Sequence, residues 1–251
     1  MAETEFRVVI PARHASTRFP GKPLAQLAGR PMIEHVYRRA ASSGAAEVIV
    51  ATDDERIASA ARAFGAPVAM TRADHHSGTD RVAEVARTRG WPADAIVVNV
   101  QGDAPLTPSS SIGQAAGLLV AHPGAAIGTL CTLLVMPEDY RNPNVVKVVA
   151  DHSGRALYFS RAPIPFAAHG GPAQPEAWRH LGLYAYRVGD LERLSRAPAC
   201  SLETAEKLEQ LRALWLGMEI RVAVATHPHG PDVDTPADVA AVERFLSGKD
   251  G

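Results

Sequence analysis

The sequence predicts an α/β fold, a mostly parallel sheet flanked by helices with a smaller mixed or antiparallel extension, and three observations lead there. Over the first 125 residues, short β-branched runs alternate with longer amphipathic stretches. Those runs are continuously apolar rather than alternating, as strands covered on both faces require. Beyond residue 125, strand-like stretches follow one another with turn residues between them, which points to antiparallel pairing. With 251 residues and 46% hydrophobic content, the chain can bury one substantial core.

Each element has its own signal. "FRVVI" (6–10), "EVIVAT" (47–52) and "AIVVNV" (95–100) are the first three strands. Between the first two, "PMIEHVYRRAASSG" opens on Pro31 and closes on Gly44, with Met32, Ile33, Val36, Tyr37 and Ala40 on one helical face. Residues 55–64, 79–89 and 109–121 read as further helices. "AIGTLCTLLV", "NVVKVVAD", "ALYFSRAPIPF" and "HLGLYAYRV" are the strands of the middle section, and 167–177 is a loop. "LETAEKLEQLRALWLG" (202–217) predicts one continuous helix, with Leu208, Leu211 and Trp215 on one face and Gly217 as its stop. "IRVAVAT" returns to strand, and Thr235 with Pro236 opens a last helix over 236–246.

Composition narrows the partners. Lys plus Arg total 26 and Asp plus Glu 27, a net charge of −1, so no broad basic surface offers itself to nucleic acid or an anionic membrane. The two cysteines, Cys131 and Cys200, stand alone, which suits small buried residues in a reducing compartment and no disulfide or zinc framework. The N-terminal stretch lacks the apolar segment of a signal peptide, and no run reaches the ~20 apolar residues of a membrane span. A soluble cytoplasmic protein is the expectation.

In a parallel sheet, ligands bind beyond the carboxyl ends of the strands. The first strand is followed by "PARHASTRFPGK", where Arg13, Arg18 and Lys22 gather with the hydroxyls of Ser16 and Thr17. That is an anion cradle without the glycine spacing of a Walker loop. Asp53 and Asp54 follow the second strand. "QGD" (Gln101, Gly102, Asp103) follows the third, and "DVDTP" supplies Asp232 and Asp234. Carboxylates from separate strand ends, converging with substrate phosphates, are the usual way to hold Mg²⁺. "HSGTDR" (76–81) starts a helix, with Ser77 or Thr79 as cap or as a nucleotide contact. His75 and His76, adjacent in sequence, read as a polar loop. Arg161, His180 and Tyr184 are polar groups in apolar strands, and Glu209 and Gln210 follow on the next helix; an acid-bearing substrate suits them.

The stretches "IPARHASTRFPGKPL", "ATDD", "TRADHHSGTDR", "VNVQGDAPL", "NPNVVKVV", "ALYFSRAPIP", "RHLGLYAYR", "EKLEQLRALW" and "VDTPADV" resemble, in order and over residues 6 to 240, the 3-deoxy-manno-octulosonate cytidylyltransferase family. The resemblance implies a nucleotide-diphospho-sugar transferase (Rossmann-like) fold, a single domain over 1–251 with an acceptor-binding and dimerisation region near 126–218, a homodimer, CTP and Mg²⁺. It also implies CMP transfer to the anomeric hydroxyl of the sugar acid, with pyrophosphate released, for lipopolysaccharide biosynthesis. By motif, Arg13, Ser16, Arg18 and Lys22 hold the triphosphate. Pro11, Ala12, Ser77, Gly78 and Arg81 border cytosine and ribose, with Gln101 beside them, and Asp103 and Asp234 bind the metal. Gln101, Arg161, His180, Tyr184, Glu209 and Gln210 recognise the acceptor. The catalytic set is Arg13, Lys22, Asp103 and Asp234. Two positions depart from the family's pattern: Ala104 stands where it has an acidic residue, and Asp232 where it has glycine. A different acid as acceptor (another ulosonic acid, 8-amino-Kdo or a phosphonate) is the alternative within the class. A glycosyltransferase shares the D-x-D metal motif but rarely carries three cations on its first loop. A non-catalytic nucleotide-binding homologue is the third reading.

Overall fold

The computed structural model describes residues 5–15, 19–168, 175–233 and 235–246. Its first half runs β1 (Phe6–Ala12), a 3₁₀ turn (Lys22–Leu24), the short pair β2 (Gln26–Leu27) and β3 (Arg30–Pro31), α1 (Met32–Ala41), β4 (Glu47–Thr52), α2 (Glu55–Ala63), β5 (Val68–Met70), α3 (Gly78–Arg89), β6 (Ile96–Asn99) and α4 (Ser109–Ala121). There follow β7 (Ile127–Leu133), α5 (Pro137–Arg141), β8 (Lys147–Ala150), β9 (Ala156–Ser160), β10 (Trp178–Arg187) and α6 (Val188–Arg196). The chain closes with α7 (Ser201–Glu206), α8 (Gln210–Trp215), β11 (Ile220–Val224) and α9 (Asp238–Leu246).

One sheet carries the strands in the order β11-β7-β10-β6-β1-β4-β5, with β8 joined to β10 and β9 to β8. The pairs β1·β4, β1·β6, β4·β5 and β7·β11 are parallel. Alternation across β1 separates two cores: Val8 and Ile10 pack with Ile33, Ile57 and Ile112 on one face, and Val9 with Ile49, Val82 and Leu211 on the other. All of these side chains are fully buried, each contributing roughly 1.5–3 kcal/mol. The helix predicted after Pro31 forms as α1, with Met32, Ile33, Val36 and Ala40 buried and Tyr37 against Phe64.

Two expectations change. The antiparallel extension is β8 and β9, whereas β10 lies inside the main sheet, pairing antiparallel with both β6 and β7. The continuous helix predicted over 202–217 is in fact α7 and α8, broken where Lys207 turns left-handed at φ 55°. The break admits a tertiary contact. Arg212 grips Glu203 with Nε at 2.9 Å from Oε2 and Nη2 at 3.0 Å from Oε1, and it donates from Nη1 to Ala197 O at 2.8 Å. Nine residues apart on one continuous helix, the two would face opposite sides, so this pair exists only because the helix breaks. Leu208 and Leu211 are buried as expected, but Trp215 is 61% exposed. Gly217 does end the segment, at φ 71°.

Both cysteines are buried, and Cys131's thiol is pushed up to about 11 by burial. Cys200 does more than fill space, since its Sγ accepts the Glu203 N–H and caps α7. The last helix begins at Asp238, whose carboxylate accepts the N–H of Thr235 at 2.7 Å, one half of a capping box.

Candidate functional site

The site lies where β1, β4 and β6 end and β10 begins. Gly102 makes the junction possible, because a Cβ there would stand 2.8 Å from the Pro11 carbonyl oxygen. The end of β1 and the turn after β6 can therefore touch, bringing Pro11, Ala12 and Arg13 beside Gln101 and Asp103.

These residues line a first cavity of about 170 Å³ together with Lys22, Ser77, Gly78 and Arg81, so the nucleotide set read from sequence is brought together wherever it falls within the described residues. Ser16, Arg18 and Asp234 lie outside them. Ser77 is the cap of α3, its Oγ accepting the Asp80 N–H at 3.1 Å, so the positive end of that helix faces the cavity. Arg81, 3% exposed, pairs with Asp53 at 3.2 Å and with the Thr71 hydroxyl. Burial pulls its pKa down from the usual arginine value. His75, which sequence placed in a plain polar loop, lines the same cavity and bonds to Glu84.

Lys22 decides the electrostatics. Gly21, at φ 71°, donates its N–H to His14 O at 3.0 Å and folds the loop back, so that Lys22 enters the protein and is 8% exposed. Its ammonium reaches Asp103 Oδ2 at 2.6 Å and Val233 O at 2.8 Å. The Val233 N–H in turn donates to Asp103 O at 3.2 Å, which holds the segment before Asp234 against the end of β6. Asp103 thus already attracts a cation while its carboxylate stays 39% exposed. Among the described residues no group of three or more His, Cys, Asp and Glu forms a metal cage. Carboxylate oxygen with space for water and phosphate ligands fits Mg²⁺, which seldom uses an all-protein cage.

Two further cavities, of about 140 and 360 Å³, continue from the first, and Gln101 lines all three. Asp103 lines the first and second, and Ala104 and Asp232 both line the second. The third takes Tyr184, Glu209 and Gln210, and His180 lines both the second and the third. Thr129 fixes the tautomer of His180. The Thr129 hydroxyl gives its one proton to Leu183 O at 2.7 Å, so His180 Nε2 must donate to Thr129 Oγ1 at 3.0 Å. Nδ1 is then an acceptor. Burial pushes His180's pKa down to about 3 and leaves the ring neutral, packed between Phe159 and Tyr184. Tyr184 is driven well above its ordinary value, and Glu209 upward, in both cases chiefly by burial. Gln210, 5% exposed, leaves Nε2 without a hydrogen-bond partner.

Arg161 departs from the sequence reading. It lines none of these cavities: Nε donates to Glu206 O at 2.7 Å and Nη1 to Pro143 O at 2.8 Å. Lys147 explains that placement, because its fully buried ammonium donates to the carbonyls of Asn142, Val145 and Arg161 and ties the three backbone segments together. Conversely, Arg179 and His229 line the second cavity and were missed. The string "RHLGLYAYR" contained the first of them; nothing in the sequence near "HPHG" marks the second. Burial brings His229 down to about 4.

Comparison with known proteins places the chain in a family and agrees with the fold. A family model described as cytidylyltransferase matches residues 7–220. A 3-deoxy-manno-octulosonate cytidylyltransferase of Alkalilimnicola ehrlichii is 56% identical, covering 97% of each chain, and one of Thioalkalivibrio sulfidiphilus is 52% identical over 96% of this chain and 98% of its own. A solved structure of CMP:2-keto-3-deoxy-manno-octonic acid synthetase complexed with CTP superposes with a TM-score of 0.90 at 41% identity, over 98% of this chain and 99% of that one. A Leptospira borgpetersenii cytidylyltransferase, 17% identical with a TM-score of 0.63, shares the fold.

Proposed function

The chain belongs to the 3-deoxy-manno-octulosonate cytidylyltransferase family, and from that premise we propose how its residues transfer CMP from CTP to 3-deoxy-manno-octulosonate (Kdo) with release of pyrophosphate. One observation carries the assignment of roles: the cavity at the ends of β1 and β6 opens, through Gln101 and Asp103, into the cavities along β10 and α8. Two substrates placed in those cavities meet at Asp103. Pro11, Ala12, Ser77, Gly78 and Arg81 border the nucleoside; Arg13, Ser16, Arg18 and Lys22 hold the triphosphate.

The anomeric hydroxyl oxygen forms a bond to the α-phosphorus as the bond to the bridging pyrophosphate oxygen breaks, and the hydroxyl proton leaves to solvent. Charge grows on the transferring group and the leaving oxygen, so cations fixed beforehand are the main aid. Asp103 and Asp234 would hold Mg²⁺, which screens phosphate charge and aligns the attacking and leaving oxygens. Lys22 neutralises Asp103 until then, and can turn to the phosphates afterwards. On the acceptor side, His180 Nδ1 accepts from a sugar hydroxyl, Gln210 Nε2 donates to one, and Tyr184 and Glu209 complete the wall. Arg161 shapes this side through its carbonyl contacts. The reading assigns no covalent intermediate and no dedicated general base.

We place the product in lipopolysaccharide biosynthesis and the enzyme in the cytoplasm as a homodimer; no helix among the described residues is long and apolar enough to cross a membrane. Exposed Leu133, Val135, Met136 and Phe166 support a partner surface in the 126–218 region. Pyrophosphate release with CTP, Mg²⁺ and a panel of sugar acids tests the whole. Turnover with Kdo above every other acid is expected, and none above background would overturn the assignment.

A further inference from the structure

Among the described arginines, Arg179 alone is neither exposed nor paired. Arg81 has Asp53, Arg161 has Glu206 and Pro143, and Arg212 has Glu203. Arg13, Arg87 and Arg141 lack side-chain partners but are exposed. Half-buried Arg179 lines the second and third cavities and not the first. It is the one permanent cation among the residues lining the second cavity, which Asp103 and Asp232 line as well.

A guanidinium taken partly out of water without a carboxylate in ion-pair contact is costly, because its N–H groups lose solvent without gaining a protein partner. Such a group is compensated when the ligand brings the anion. The triphosphate has its own cations in the first cavity. What remains is the carboxylate of the acceptor, one carbon from the hydroxyl that attacks. Lys207 also lines the third cavity but is exposed. We propose that Arg179, rather than Arg161 or Lys207, binds the carboxylate of the sugar acid. The fork geometry suits a planar carboxylate bidentately, which fixes the neighbouring hydroxyl in direction as well as place. It also cancels the repulsion between the acceptor's charge and the triphosphate, which face each other across Gln101 and Asp103. This rests on the acceptor assignment above.

The test pairs the side chain with the group it meets. Initial rates are measured for wild type, R179Q, R179K, R161Q and K207M, with Kdo and with its C1 carboxamide. Wild-type turnover of Kdo stands as the separate check on the function itself. For wild type, the carboxamide should lower kcat/KM by about 30-fold or more, the scale of a lost charged hydrogen-bond pair. In R179Q that discrimination should collapse to within about threefold, with the KM for CTP unchanged. R179K should recover part of it, since charge remains and the fork is lost, and this variant carries the test if R179Q does not fold by circular dichroism. Retention of the full discrimination in R179Q, or its loss in R161Q or K207M instead, would overturn the inference.

Discussion

The proposed nucleotide side and the proposed acceptor side of the cavity are built on opposite plans. At the ends of β1 and β6, charge meets charge: Lys22 on Asp103 at 2.6 Å, Arg81 on Asp53 at 3.2 Å, with a helix N-terminus alongside. Along β10 and α8 the groups are buried and neutral or unpaired: His180 without its proton, Gln210 with an orphaned amide, Arg179 without a counter-ion. The first plan suits a triphosphate, whose charge is large and whose shape tolerates rearranged cations. The second suits discrimination, since a wrong acceptor leaves buried donors and acceptors unsatisfied, a penalty larger than the gain from a right one.

Four substitutions test that contrast. Asp103→Ala, at the point where the sides meet, should lower kcat by about 10³-fold or more in a pyrophosphate-release assay; a change confined to the acceptor KM would dissolve the distinction. Lys22→Met should cost about 10²-fold in kcat/KM for CTP while leaving the acceptor KM within twofold. Gln210→Leu should raise the acceptor KM about 10-fold and yet stabilise the free protein, by about 1 kcal/mol or roughly 2–4 °C in thermal melts, because the orphaned amide is gone. A drop in Tm there would mean that the amide is satisfied in the free protein. The last effect is in pH. His180 has a folded pKa of about 3 against an ordinary 6.5, so the unfolded chain takes up a proton that the folded one refuses. The associated stability is present above pH 6.5 and is lost as pH falls toward 3. Between pH 7 and 5, denaturation of His180→Gln should lose less stability than wild type by roughly 2 kcal/mol. Parallel curves would place the proton elsewhere, with His229 the next candidate.

The same contrast explains what could be read from the sequence. The nucleotide side is local: each residue follows its strand within about a dozen positions, so "PARHASTRFPGK" and "QGD" pointed to both their chemistry and their place. Continuous apolar runs likewise gave β1, β4 and β6. On the acceptor side, placement depends on contacts distant in sequence. Nothing in the pattern of residues 202–217 signals that the helix will stop at Lys207, yet that break lets Arg212 reach back to Glu203 and sets Gln210 at the start of α8, lining the cavity. Arg161 and Arg179 are equally polar interruptions of strands; only the carbonyl cluster around Lys147 shows which of them is already occupied. Strand patterning identified β10 and not its position, because a period of two is silent about neighbours.

That position has a consequence for the chain while it is being made. β5, β4, β1 and β6 are all complete by Asn99 and can pair at once, but the outer edge of β6 is covered by β10, residues 178–187. Throughout the synthesis of the intervening segment, roughly several seconds at ordinary translation rates, the nascent protein therefore carries an open apolar edge formed by Ile96, Val97 and Val98. The antiparallel strand that lines the proposed acceptor cavity is also the piece that closes this edge, so the chain is most prone to wrong pairing just before that wall is in place.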